Sequence, residues 1–216
     1  MKAVIFDWDG VVIDSSAQHK RSWEILAKEV SKPLPEGHFL LGFGKKNALI
    51  IPEILRWTND PATITALADR KEAIYRELVQ ASGVHVLPGA RELLSALREA
   101  GIPRAIGSST PRDNLNAILP VTGLADLFDA IACGDDVANG KPAPDIFLLA
   151  AQKLHTLAAD CLVIEDAHVG LEAARRAGMA TLAVATTNPL DDLRYADAAV
   201  ESLASVTLDF LLGIKL

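Results

Sequence analysis

Six short stretches of this sequence are apolar almost from end to end: KAVIF (2–6), IPRAIG (102–107), DAIAC (129–133), CLVIE (161–165), TLAVAT (181–186) and DAAV (197–200). A strand with one wet face alternates apolar and polar residues. Uniform runs therefore call for a sheet covered on both faces. The segments between them repeat with helical period. In PGARELLSALREAG (88–101), Leu93, Leu94, Leu97 and Ala100 form one stripe, with Pro88 before it and Gly101 after it. APDIFLLAAQKLH (143–155) carries Ile146, Leu149, Ala150 and Leu154 on one face, and AHVGLEAARRAG (167–178) ends in Gly178. From residue 88 onward helix and strand alternate. The expected class is α/β, a doubly wound parallel sheet with a Rossmann-like core.

Residues 15–84 interrupt that alternation. They contain helix-like stretches near 15–31, 45–57 and 61–81 and no strand pattern. We read them as a helical cap inserted after the first strand, with hinges at 12–16 and Ser82-Gly83. The core is then 1–14 and 85–216. A chain of 216 residues accommodates one such core and a modest insert. Aromatic residues make up only 5%, so the interior must rest on Leu, Ile, Val and Ala.

Charge narrows the function classes. A formal net charge of −7 argues against a nucleic-acid face and against a polybasic membrane anchor. It leaves room for an anionic substrate, because local charge or a metal can reverse the field at one site. No run of apolar residues is long enough for a spanning helix, and Asp7 and Asp9 break the opening MKAVIFD too early for a signal peptide. Cys133 and Cys161 form no CxxC pair, sit at the edges of apolar runs and are expected to be small core residues. The expectation is a cytosolic monomer.

Ligands of open parallel sheets bind at the carboxyl ends of the strands. Asp7, Asp9 and Gly10 follow the first run. Ser108, Ser109 and Thr110 follow the second, and Lys141 lies past the third. Glu165 ends the fourth, with Asp166 next. Asp7, Glu165 and Asp166 are hard oxygen donors suited to Mg²⁺. Ser108, backbone N–H groups and Lys141 suit a phosphate. Asp7 and Asp9 can divide nucleophilic and acid/base work. Each signal alone has an ordinary explanation: Asp-Gly is turn chemistry, Ser108–Pro111 is a helix cap before PRDNLNAIL, and Glu165-Asp166 can cap the next helix. Their conjunction at four strand ends points to phosphoryl transfer. Two other motifs fail on spacing. GDDVANGKP (134–142) has five residues between its glycines and Pro142 where a P-loop needs a hydroxyl. GFGKKN (42–47) lacks a third glycine and follows no strand.

These residues resemble the haloacid dehalogenase-like hydrolase superfamily, and within it the β-phosphoglucomutase-like phosphatases. FDWDGVVIDS (6–15), GSST (107–110), GKPAPDIF (140–147) and IEDAHVGLEAARRAGM (164–179) are similar to its four motifs in order. The resemblance implies that Asp7 attacks phosphorus to form an aspartyl-phosphate. Asp9 would protonate the leaving oxygen and then activate water, and its carbonyl would bind Mg²⁺. Ser108 and the Ser109 N–H would hold the phosphoryl group, Lys141 would neutralise charge, and Glu165 and Asp166 would complete the metal site. The sequence DWDG, with Asp9, favours an oxygen-linked phosphate. In the cap, His19 and Trp23 share a helix face, and Lys45 and Lys46 stand where relatives keep a specificity loop. The expected partner is a small phosphorylated metabolite, such as a sugar phosphate. A phosphomutase is the alternative, and a phosphorylatable receiver-type switch is a remote one.

Overall fold

The computed structural model describes residues 1–214. The chain opens with β1 (Ala3–Phe6) and a two-residue strand β2 (Ile13–Asp14). Four helices follow: α1 (Ser16–Glu29), α2 (His38–Gly42), α3 (Asn47–Leu49) and α4 (Pro61–Ser82). Strand β3 (His85–Val86) then pairs antiparallel with β2, Asp14 opposite His85. This ribbon ties together the two places where the chain enters and leaves the helical segment. The remaining elements are α5 (Ala90–Glu99), β4 (Arg104–Gly107), α6 (Arg112–Thr122), β5 (Ala130–Ala132), α7 (Asp145–Lys153), β6 (Cys161–Glu165), α8 (His168–Arg176), β7 (Ala180–Val184), β8 (Ala198–Val200) and α9 (Leu208–Leu212).

Six strands form one sheet in the order β5-β4-β1-β6-β7-β8, and every pairing is parallel. Val4 and Phe6 of β1 pack on one face with Leu93, Leu94 and Leu97 of α5 and with Leu115 and Ile118 of α6. Ala3 and Ile5 pack on the other face with Ile146 and Phe147 of α7 and with Ala173 and Ala174 of α8. Burial on both faces is why these strands read as uniform apolar runs. The strand order reverses at β1, whose neighbours are β4 on one side and β6 on the other. Its carboxyl end is thus the topological switch point of the sheet.

The helical segment has its own apolar centre, built from Trp23, Leu26, Ile50, Ile51, Leu55, Trp57 and Ile74. Here the structure corrects one expectation. The helix read over 45–57 is only α3 running into a wide turn at Ile50–Ile54, where Leu55 N–H donates to the Ile50 carbonyl at 2.9 Å. Pro52 has no N–H to donate, so ordinary helical spacing cannot continue through it. The short α2 had no periodic signature.

Candidate active site

Asp7 leaves β1 directly at the switch point, and Trp8 turns inward, fully buried beside Phe128. Gly10 closes the turn at φ +84°. A Cβ there would lie 2.0 Å from Asp166 Oδ2, so the turn demands glycine both for its backbone and for the close approach. Lys141 is 1% exposed and bridges two carboxylates, donating to Asp7 Oδ1 at 2.6 Å and to Glu165 Oε1 at 2.6 Å. Glu165 Oε2 accepts from the N–H groups of Asp166 and Ala167, both at 2.8 Å. Asp166 Oδ2 accepts from the Thr187 hydroxyl, whereas Asp166 Oδ1 is buried with no partner among the described residues.

Three buried carboxylates thus cluster beside one ammonium, which bonds two of them, Asp7 and Glu165. Burial pushes the Asp7 carboxyl up to about 7, against the pull of Lys141, and burial with the Glu165 charge raises Asp166 well above the carboxylate range. Ligand atoms of Asp7, Glu165 and Asp166 lie within 4.8 Å of one another. The unpartnered Asp166 Oδ1, the surplus of negative charge and the all-oxygen donor set fit a hard divalent cation such as Mg²⁺. Among the described residues Glu165 Oε1 accepts only from Lys141 and retains a lone pair for it.

Asp9 has a different environment. It accepts from the hydroxyls of Ser15 and Thr110 and lies 3.4 Å from His19 Nε2. Burial raises its carboxyl, but His19, Ser15 and Thr110 outweigh burial and hold it at about 2. His19 is itself fixed. Its ring stacks on Tyr75 at 3.9 Å, and Lys71 Nζ is 2.6 Å from Nδ1. An ammonium can only donate, so Nδ1 accepts and Nε2 carries the proton that faces Asp9. Lys71 also pairs with Glu72 Oε1 at 2.9 Å, with both side chains buried.

Of these groups, Asp7, Asp9, His19, Lys71, Glu72 and Thr110 border a cavity of about 590 Å³ between the sheet end and the helical segment. Asp7, Asp9, Ser108 and Ser109 line it from below, and His19, Trp23, Lys45 and Lys46 from above. Ser108 Oγ accepts from the Thr110 N–H at 3.1 Å, which leaves its own proton free for a ligand. The hydroxyls of this segment do not cap α6. The residue before that helix is Pro111, Ser109 Oγ reaches the Gly44 carbonyl at 2.9 Å, and Thr110 serves Asp9. Glu165 and Asp166 likewise make no side-chain cap on α8. Trp23 is both cavity wall and apolar centre, with its ring edge-on to Trp57 at 6.1 Å. Lys46 Nζ is occupied by the Val137 carbonyl at 2.6 Å.

Ser15, Thr110, Lys71, Glu72 and Thr187 were not singled out as site side chains from the sequence. Lys71-Glu72 had one available signal, since they fall inside the apolar stripe of α4 beside Ile74, Tyr75 and Val79. A charged pair in a buried stripe is there to meet a partner.

Residues 1–178 match the model of the haloacid dehalogenase-like hydrolase family. The chain belongs to this family. Within the haloacid dehalogenase-like hydrolases it is similar to the chloroplastic 5-amino-6-(5-phospho-D-ribitylamino)uracil phosphatase of Arabidopsis thaliana. The two are 34% identical over 94% of this chain and 55% of that one, so the chain spans about half of that relative's length. It is also 34% identical to the β-phosphoglucomutase of Bacillus subtilis, over 98% of this chain and 94% of that one. The crystal structure of CbbY from Rhodobacter sphaeroides in complex with phosphate superposes with a TM-score of 0.86 at 26% identity over the whole of both chains. The β-phosphoglucomutase-like resemblance and the parallel α/β fold hold, and the chain is a hydrolase of the phosphoric monoester class.

Proposed function

We propose that this haloacid dehalogenase-like hydrolase is a Mg²⁺-dependent phosphatase of a small phosphorylated metabolite, in the first instance a sugar phosphate, acting through an aspartyl-phosphate on Asp7. The observation that carries the reading is the contrast between two carboxylates two residues apart. Asp7 sits among Lys141, Glu165 and Asp166, while Asp9 sits among proton-bearing partners. Environments that differ this much separate nucleophile from acid/base.

In the first half-reaction an Asp7 oxygen attacks phosphorus, the ester P–O bond breaks, and Asp9 gives its proton to the leaving oxygen. In the second, water attacks phosphorus, the P–O bond to Asp7 breaks, and Asp9 takes the water's proton. Asp9 as it stands, ionised and held by three donors, is in the form the second step needs. A bound phosphoryl dianion raises its proton affinity for the first. Lys141 holds Asp7 in place and offsets its charge. Ser108 has a free hydroxyl proton for the phosphoryl oxygens. Asp7, Glu165, Asp166 and the Asp9 carbonyl would hold Mg²⁺, which when bound supplies the positive charge that three carboxylates and a phosphate lack. In this reading Lys45, His19 and Trp23, which line the cavity, contact the leaving group, and Lys46 does so only on releasing the Val137 carbonyl.

The test is a panel of sugar phosphates and other small phosphoesters, with Mg²⁺ and with chelator, on wild type and Asp7→Asn. Phosphate release that requires both Mg²⁺ and Asp7 supports the phosphatase. Isomerised product without net release assigns a mutase instead, and full activity in Asp7→Asn removes the mechanism.

A further inference from the structure

The polar chain behind His19 continues into the core. Glu72 Oε1 takes Lys71 at 2.9 Å and Asn47 Nδ2 at 2.6 Å, and Glu72 Oε2 takes Asn114 Nδ2 at 2.5 Å. Arg76, one turn further along α4, donates from Nη1 to Asn114 Oδ1 at 2.8 Å. Asn114 belongs to α6 of the core and is 0% exposed. Both ends of its amide are thus gripped by the helical segment, the donor by a carboxylate and the acceptor by a guanidinium. Other polar side-chain contacts link that segment to the strand-end loops around the site: His19 to Asp9, Lys46 to the Val137 carbonyl and Ser109 to the Gly44 carbonyl. Each is only part-buried and uses a single donor–acceptor pair.

We infer that Asn114 is a positioning residue that docks the helical cap: when the amide seats between Glu72 and Arg76, it aligns Glu72, and through Glu72 both Lys71 behind His19 and Asn47 beside Lys45 and Lys46. The physical basis is specificity of seating. A buried amide with both ends satisfied by charged partners fits in one orientation only, and displacement leaves Glu72 Oε2 and the Asn114 amide without these partners. Asn114 touches no reacting atom. Its loss acts on cap placement and, through that, on turnover. The effect on activity rests on the phosphatase reading above, whereas the effect on cap placement does not.

The experiment therefore reads both. Spin labels on cysteines introduced at exposed Glu36 in the cap and Asp126 in the core report the inter-domain distance in the Mg²⁺-loaded protein, with and without inorganic phosphate. The native Cys133 and Cys161 are buried. Asn114→Ala and Asn114→Asp are expected to broaden the distance distribution toward open forms. Both should also lower kcat/KM about 10- to 100-fold, with Asn114→Asp worse because it sets a carboxylate against Glu72. In Glu72→Gln/Asn114→Asp, donor and acceptor trade places, while the amide oxygen introduced at position 72 still accepts from Asn47 and Lys71. This double variant is expected to restore the distance distribution and most of the activity. Single variants with a wild-type distance distribution would overturn the proposal. So would a double variant no better than Asn114→Asp. A wild type without phosphatase activity but with the predicted distance changes sinks the functional reading alone.

Discussion

Gly170→Ala sets local propensity against the tertiary site. Gly170 lies in the first turn of α8, and alanine in a helix is worth about 1 kcal/mol over glycine. The added methyl carbon, however, would lie 1.7 Å from Glu165 Oε1 and 2.0 Å from its Cδ. To reach ordinary van der Waals separation the carboxylate must retreat by roughly 1.5 Å. Glu165 is fully buried and holds Lys141 and two backbone N–H groups. Losing two of these hydrogen bonds to a charged group costs about 3–6 kcal/mol. The net expectation is a loss of about 2–5 kcal/mol, which for a chain of this size lowers Tm by about 4–20 °C. Displacing a cation ligand should also weaken Mg²⁺ binding at least about tenfold. Thermal unfolding by circular dichroism in chelator and a calorimetric Mg²⁺ titration measure the two effects separately. A variant that melts at or above wild type and binds Mg²⁺ equally well would refute the packing and the ligand role together.

Three further expectations concern the acid, the cap charges and the cap core. Asp9→Asn should lower kcat by about 10²–10⁴, most with poorly leaving alkyl phosphates and least with an aryl phosphate, measured by phosphate release; equal losses on both would remove the acid role. For Glu72, burial raises the carboxyl, but the Lys71 charge with the Lys71 and Asn47 hydrogen bonds outweighs it, lowering it from 4.5 to about 2. Its ionised form therefore stabilises the fold above about pH 4.5 by roughly 3 kcal/mol, and that stability is lost as pH falls toward 2. In urea titrations across that window, Glu72→Gln should lose less stability than wild type; parallel pH profiles would contradict the pairing. Trp23→Ala opens the apolar centre shared with Trp57 and Lys71 and should cost about 3–5 kcal/mol. A denaturant midpoint unchanged from wild type would make Trp23 a cavity-wall residue only.

The strands of the core were legible because burial on both faces leaves no alternative to uniform apolar runs. CLVIE appears as β6 residue for residue, and Ile164 pairs with Phe6 as a central strand should. The residues at the strand ends were legible because topology alone brings Asp7, Ser108, Lys141, Glu165 and Asp166 to one edge. What eluded the sequence depends on contacts between distant elements. Thr110 reads as part of a helix cap, yet its hydroxyl crosses to Asp9. Asn114 reads as a polar residue on a helix, yet it is fully buried and its partners are Glu72 and Arg76 of the distant α4. Lys71 and Glu72 interrupt the apolar stripe of α4, but which partners bury them is decided by α1 and α6. The helix expected across Pro52 failed because the apolar period there reports burial, while the missing N–H decides the turn.

The central claim is that Asp7 carries the phosphoryl group. The direct measurement is a single turnover of Mg²⁺-loaded enzyme with a turned-over sugar phosphate, quenched in acid, trapped with hydroxylamine or borohydride and mapped by peptide mass spectrometry. The account predicts a transient modification on the peptide containing Asp7, which decays as phosphate appears and persists longer in Asp9→Asn. Turnover with no modified peptide, or with the modification on any other residue, would contradict it.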